Sequence, residues 1–201
     1  MNYLAHLYLA GNTAALQVGG ILGDFVKGPV NSKYCDKINE GIMLHRKIDS
    51  FSDAHPRILQ SKKYFQPSLR KYTGIIIDIC YDHFLIQNWC KYSNIQLSEF
   101  TLDVYDNLQQ YHYIFENELK FLANRITLEN LLTKNQDLQG IRFTLGRISK
   151  RLKRKNSIID AVTDIEHHYP QLESDFFNFF SDLIDFVRGW KQSNTINNSK
   201  N

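Results

Sequence analysis

Apolar residues recur at helical spacing along almost the whole chain, and only four prolines and ten glycines interrupt them in 201 residues. Proline and glycine are the strongest local breakers of regular structure, so a chain this poor in both can run from helix to helix with short connections. No stretch alternates polar and apolar residues long enough to demand a sheet. The expectation is an all-α, compact single-domain helical bundle over residues 1–190, followed by a polar, disordered tail at 191–201. Helices are expected at about residues 3–10 (capped by Asn2), 13–28, 33–54, 57–65, 67–92, 98–113, 115–124, 128–134, 138–153, 157–169 and 170–189.

Composition narrows the class. With 43% hydrophobic and 22% charged residues the chain can bury a core. A net charge of +3 is too mild to imply nucleic acid. Neither a basic leader followed by an apolar stretch nor a run near the ~20 apolar residues of a membrane span is visible. Cys35, Cys80 and Cys90 lack both even count and CxxC spacing, and read as small buried hydrophobes. These features point to a soluble cytoplasmic protein with no membrane partner and no nucleic acid.

The helix expected at 67–92 carries the strongest chemical signal. Asp78 and Asp82 lie one turn apart, about 40° on the wheel, in a sector shared with Ile75, Ile79, Leu85, Ile86 and Trp89. Like charges at i and i+4 repel, and a buried carboxylate needs a partner. His83 stands beside Asp82 and offers an imidazole. In the helix at 33–54, His45 and Asp49 face inward one turn apart with Ile38, Ile42 and Ile48, while Arg46 and Lys47 turn towards solvent. Asp24 follows in a glycine-rich stretch, with Gly20 one turn before it and Gly28 one turn after; glycine there permits close approach of a backbone or ligand. His6 sits between apolar neighbours. Mixed imidazole and carboxylate donors suit Mn, Fe or Mg chemistry better than a thiol-rich zinc site. An internal ion-pair network would also satisfy these acids. His55, His112 and the His167–His168 pair lack comparable partners and read as surface or structural.

The segment 142–155 gathers Arg142, Arg147, Lys150, Arg151, Lys153, Arg154 and Lys155 without an acid. It is either a solvated helix face or a docking surface for an acidic partner, with Arg147, Arg151 and Arg154 as the contacts.

Four motifs together resemble acyl carrier protein phosphodiesterases, an unusual branch of the HD phosphohydrolase superfamily: MNYLAHL from Met1, GDFVKG from Gly23, GIMLHRKID from Gly41 and DICYDHF from Asp78. The resemblance implies an HD-domain-like helical fold and a divalent metal, manganese by usual requirement with Mg²⁺ or Fe²⁺ as substitutes. It also implies hydrolysis of holo-acyl carrier protein to the apo form and 4′-phosphopantetheine. Carried over by position, Asp24, His45, Asp49, Asp78, Asp82 and His83 are the motif residues expected around the metal, with His6 nearby, and of these Asp24, His45, Asp82 and His83 are the expected ligands. Asp49 and Asp78 become the catalytic carboxylates, either one a general acid with raised pKa. His6 and Arg46 would stand just outside the ligand set. The doublet Asp82-His83 is inverted relative to the wider superfamily, so the ordinary HD ligand list does not transfer. An HD-type nucleotide phosphohydrolase and a non-catalytic helical protein that binds acidic partners are the alternative readings.

Overall fold

The computed structural model describes residues 3–30, 33–152 and 156–198. Ten α-helices lie among them, joined by short 3₁₀ turns, and no strand occurs among the described residues. In order they are α1 (Tyr3–Ala10), α2 (Ala14–Leu22), α3 (Asp36–Ala54), α4 (Pro56–Ser61), α5 (Thr73–Gln87), α6 (Leu97–Gln110), α7 (Asn117–Leu128), α8 (Leu138–Arg151), α9 (Ala161–His167) and α10 (Tyr169–Asn198). The all-α expectation holds. No described helix is long and apolar enough to cross a membrane.

One hydrophobic core runs through the bundle. Leu4 and Leu7 of α1, Ile42 and Ile48 of α3, Ile76 and Phe84 of α5, and Phe176, Phe179, Phe180 and Leu183 of α10 are all fully buried. Each such side chain contributes roughly 1.5–3 kcal/mol of apolar burial. Helix α5 is covered nearly all round, as its apolar sequence requires, although Ile75 at its first turn is exposed.

The packing of α2 on α3 sets the site. A Cβ on Gly19 would lie 2.3 Å from the Ile38 carbonyl oxygen, and one on Gly41 would lie 2.4 Å from that of Leu16. Only glycine at both positions lets the two backbones touch. One turn further along each helix, the same contact presses Gly23 against the His45 ring, where a Cβ would fall 2.3 Å away. The glycines that matter are therefore Gly19, Gly23 and Gly41. Gly20 is not crowded, and Gly28 (φ +77°) serves a left-handed turn.

Several expected boundaries move. The helix expected at 13–28 stops at Leu22, so Asp24 sits on a turn. The helix expected at 67–92 divides into a 3₁₀ turn, α5 and a second 3₁₀ turn. Asn88 ends α5 with its side-chain amide donating to the Phe84 carbonyl at 3.0 Å. The segment at 128–134 is a series of turns around Asn130 (φ 47°). Helix α10 passes the expected boundary at 190 and continues to Asn198; the Asn2 cap and residues 199–201 lie outside the described residues. Cys80 is buried as expected, but Cys35 and Cys90 are exposed.

Candidate metal centre

Three helices and one turn meet at a solvent-open pocket of about 510 Å³ lined by Asp24, Lys27, Gly28, His45, Arg46 and Asp49. Helix α1 supplies His6, buried behind the His45 and Asp49 of the lining. The His6 and His45 rings stack face to face, centroids 4.0 Å apart and planes 16° from parallel. Asp49 spans both rings, with Oδ1 3.2 Å from His6 Nε2 and Oδ2 3.0 Å from His45 Nε2. Asp24 approaches the same His45 nitrogen at 3.3 Å. Donor atoms of His6, His45 and Asp49 all lie within 4.8 Å of one another.

The electrostatics of this corner are polarised. Burial pushes the His6 pKa down to about 4, aided by the neighbouring His45 charge and opposed by Asp49. Burial also acts to lower His45, but its contacts with Asp24 and Asp49 carry it up to about 9. For Asp49, burial would raise the pKa, yet the two imidazoles hold it well below the usual carboxylate range. The His45 contact lowers Asp24 as well, against its partial burial. Asp49 is thus an ionised carboxylate, which corrects the expectation that its pKa would be raised.

Arg46 is not solvent-facing. Its Nη2 donates to the Val26 carbonyl at 2.6 Å, and Lys27 Nζ donates to the Asp24 carbonyl at 2.7 Å. The loop after α2 folds over α3, which a wheel of α3 alone does not reveal. Arg46 therefore pins the loop that carries Asp24.

Helix α5 brings a second set of groups. Asp78 is half-buried, and burial raises its pKa, reinforced by the charges of Asp49 and Asp53. Burial pushes Asp82, 3% exposed, up to about 8; Asn135 opposes that rise and the charge of Asp78 adds to it. The Asn135 amide donates to Asp82 Oδ2 at 3.4 Å. His83 lies elsewhere. Its Nδ1 is 2.8 Å from the Asn135 carbonyl and its Nε2 is 2.8 Å from the Tyr169 hydroxyl, in a different recess walled by Gln87, Gln136, Asp137 and Glu166. Both ring nitrogens are engaged, and a residue about 100° round the helix from Asp82 faces another neighbour. His83, expected as a ligand, thus lies apart from His45, whose neighbouring imidazole is His6.

Two further residues complete the surroundings. The Tyr3 hydroxyl hydrogen-bonds Asp24. Tyr3 stands one turn before His6 on α1, a spacing that could have flagged it. Asn135 holds Asp82 from a loop with no periodic signal, and nothing in the local sequence announces it.

The basic run also changes on folding. Arg147 is half-buried and ion-paired with Glu129, which Arg125 also binds through a 2.9 Å contact to Nε. Arg142, Lys150 and Arg151 are exposed on α8, while Lys153, Arg154 and Lys155 lie outside the described residues. His55, by contrast, caps α4 and contacts Asp182, a structural role.

The donor set fits a divalent cation. Nδ1 of His6 and Nδ1 of His45 are buried without a hydrogen-bond partner, and the His6 Nε2 contact to Asp49 falls short of full hydrogen-bond geometry. A buried polar atom left in that state is costly; His6, held neutral beside the ionised Asp49, is already in the ligand form for Mn²⁺- or Fe²⁺-like ions, and His45 would release its proton to an entering cation.

Residues 1–183 match the family described as acyl carrier protein phosphodiesterase. Curated relatives of that name agree along nearly their full length. The Pectobacterium atrosepticum protein is 31% identical over 193 residues, covering 94% of this chain and 98% of its own. That of Photorhabdus laumondii is 30% identical over 186 residues, covering 92% and 94%. An Escherichia coli relative is 30% identical over 188 residues, covering 92% and 96%. No solved structure gives a significant match. A helical bundle with a histidine–aspartate centre at the junction of α1, α2 and α3, matched over 183 of its 201 residues, places this chain in the acyl carrier protein phosphodiesterase family.

Proposed function

We propose that the protein hydrolyses the phosphodiester between 4′-phosphopantetheine and a serine of holo-acyl carrier protein, acting in the cytoplasm with a divalent cation, Mn²⁺ in the first instance. The observation that carries the reading is the stacked His6–His45 pair bridged by Asp49 at the base of an open pocket. His6, His45, Asp49 and Asp24 would hold the cation. A cation there supplies Lewis-acid polarisation of a phosphoryl oxygen and eases deprotonation of water.

The chain's own groups divide the remaining work. Water adds to phosphorus, the phosphorus–serine oxygen bond breaks, and the serine oxygen takes a proton. Asp78, a carboxyl of raised pKa near Asp49, is the group suited to donate that proton. Arg46 fixes the Asp24 loop, and the Tyr3 hydroxyl orients the Asp24 carboxylate. A groove of about 570 Å³ beside the pocket, walled by Leu22, Phe25, Val26, Tyr34 and Leu119, shares Val26 with it and would receive the pantetheine arm. The exposed cations Arg142, Lys150 and Arg151 would meet the acidic carrier protein.

Purified protein incubated with holo-carrier protein and Mn²⁺ should yield apo-carrier protein, read as loss of the phosphopantetheine mass, and chelator should stop it. Absence of conversion with Mn²⁺, Mg²⁺ and Fe²⁺ alike would refute the proposal.

A further inference from the structure

A separate pocket of about 230 Å³ opens between α1, α7 and α8, and its lining includes Arg125, Lys134, Arg147 and Arg151 around Tyr3 and Asn135. Four cations meet there against one nearby carboxylate. Glu129 binds Arg125 and Arg147 and stands 4.0 Å from Lys134 Nζ. Arg151 forms no ion pair among the described residues. One carboxylate cannot neutralise four cations, and the surplus positive charge repels itself unless an anion enters. Glu129 acts as a brace, fixing arginines from two helices at the wall. The ring of Phe143 backs Lys134 at 4.4 Å and Arg147 at 5.9 Å, which further fixes their heads.

The pocket is tied to the metal centre through Tyr3 and to the Asp82 corner through Asn135. Tyr3 lines it while its hydroxyl bonds Asp24. Asn135 lines it while its amide bonds Asp82, and Thr144 donates to Asn135 Oδ1 at 2.8 Å. Its volume lies below the ~300 Å³ at which drug-sized ligand sites begin, so it selects a compact anion. Guanidinium forks match phosphate geometry.

We propose that this pocket is a phosphate subsite that receives the phosphomonoester end of the released product. The identity of the anion rests on the reaction proposed above. Hydrolysis converts a monoanionic diester into a monoester carrying a second charge, so a four-cation pocket one side chain away favours product over substrate and draws it off the reacting centre.

The test is direct binding of inorganic phosphate to the full, metal-free chain by calorimetry at low salt. Saturable binding should weaken at least tenfold in Lys134→Gln and in Arg151→Gln, persist in Lys134→Arg, and be unchanged in Lys63→Gln, an exposed cation outside the pocket. Glu129→Gln should bind more tightly. Circular dichroism establishes that each variant is folded, and the charge-preserving Lys134→Arg keeps the test decisive where a neutral variant is not. Absence of saturable binding, equal weakening by Lys63→Gln, or binding that appears only with added Mn²⁺ would overturn the inference. Because neither metal nor carrier protein is present, failure to hydrolyse the carrier protein is a separate result: hydrolysis without phosphate binding removes this subsite alone.

Discussion

Inward-facing aspartates occupy two corners of this bundle, and the two are built on opposite electrostatic terms. Around His45, imidazoles and carboxylates touch, and contact overrides burial: His45 is carried up to about 9 and Asp49 is held down. Around Asp82, burial dominates, and the carboxyl rises to about 8 with a neutral amide beside it. The first corner opens to solvent, and the proposed cation would sit there. The second is covered and keeps a proton. An aspartate on an inward helix face thus stays an ionised carboxylate against imidazoles in one place and becomes a neutral acid in another, and the neighbouring helix makes the difference.

Removing the first corner should have the largest effect. His45→Ala or Asp49→Ala should lower kcat/KM at least about 10³-fold, the loss expected when several kcal/mol of metal-derived stabilisation disappears. Metal content measured on the same samples should fall with it. Activity within tenfold of the parent would erase the contrast between the corners.

Gly41→Ala attacks the packing that creates the contrast. Its Cβ would lie 2.4 Å from the Leu16 carbonyl oxygen, so α2 and α3 must separate. Chemical denaturation should show a loss of about 2–3 kcal/mol, accompanied by weaker Mn²⁺ binding as Asp24 withdraws from His45. Parent-like stability would mean that the helix contact does not position the site.

Asp82→Asn sharpens the other corner. The folded carboxyl titrates at about 8 and the unfolded one at 3.8. Between these values the folded state holds a proton that the unfolded state has released, so the parent loses stability as pH rises through the window. Asparagine carries no such proton. The melting temperature of the metal-free variant relative to the parent should therefore rise from pH 5 to pH 8. A constant difference would show that Asp82 is ionised in the fold.

The smallest effect is expected far from both corners. Arg142→Glu with Lys150→Glu should raise KM for the carrier protein several-fold and flatten its salt dependence, leaving kcat unchanged, because exposed charges steer encounter within a Debye length of about 8 Å. A salt dependence identical to the parent's would return these residues to an ordinary solvated face.

The pattern of what sequence reveals follows from range. Burial of α5 on nearly all sides was legible because its apolar residues occupy every sector, and His45 with Asp49 was legible because i, i+4 spacing is a local property. His6 was undervalued: its partner Asp49 lies 43 positions away, and no feature of α1 reveals the stacked ring. Arg46 was misjudged because the loop that covers it belongs to α2. His83 was drawn to the metal by its neighbour in sequence, whereas Tyr169 and Asn135, remote in the chain, hold it elsewhere. Acid-free as written, the 142–155 run acquires Glu129 only when α7 and α8 pack.

The proposed divalent cation would be held where α1, α2 and α3 meet. A crystal of the full chain grown with Mn²⁺ and measured at the manganese absorption edge would test it most directly. An anomalous peak is expected within coordination distance of His6, His45 and Asp49, beside Asp24. A peak between His83 and Tyr169 instead, or no peak at the His6–His45 pair at saturating Mn²⁺, would contradict it.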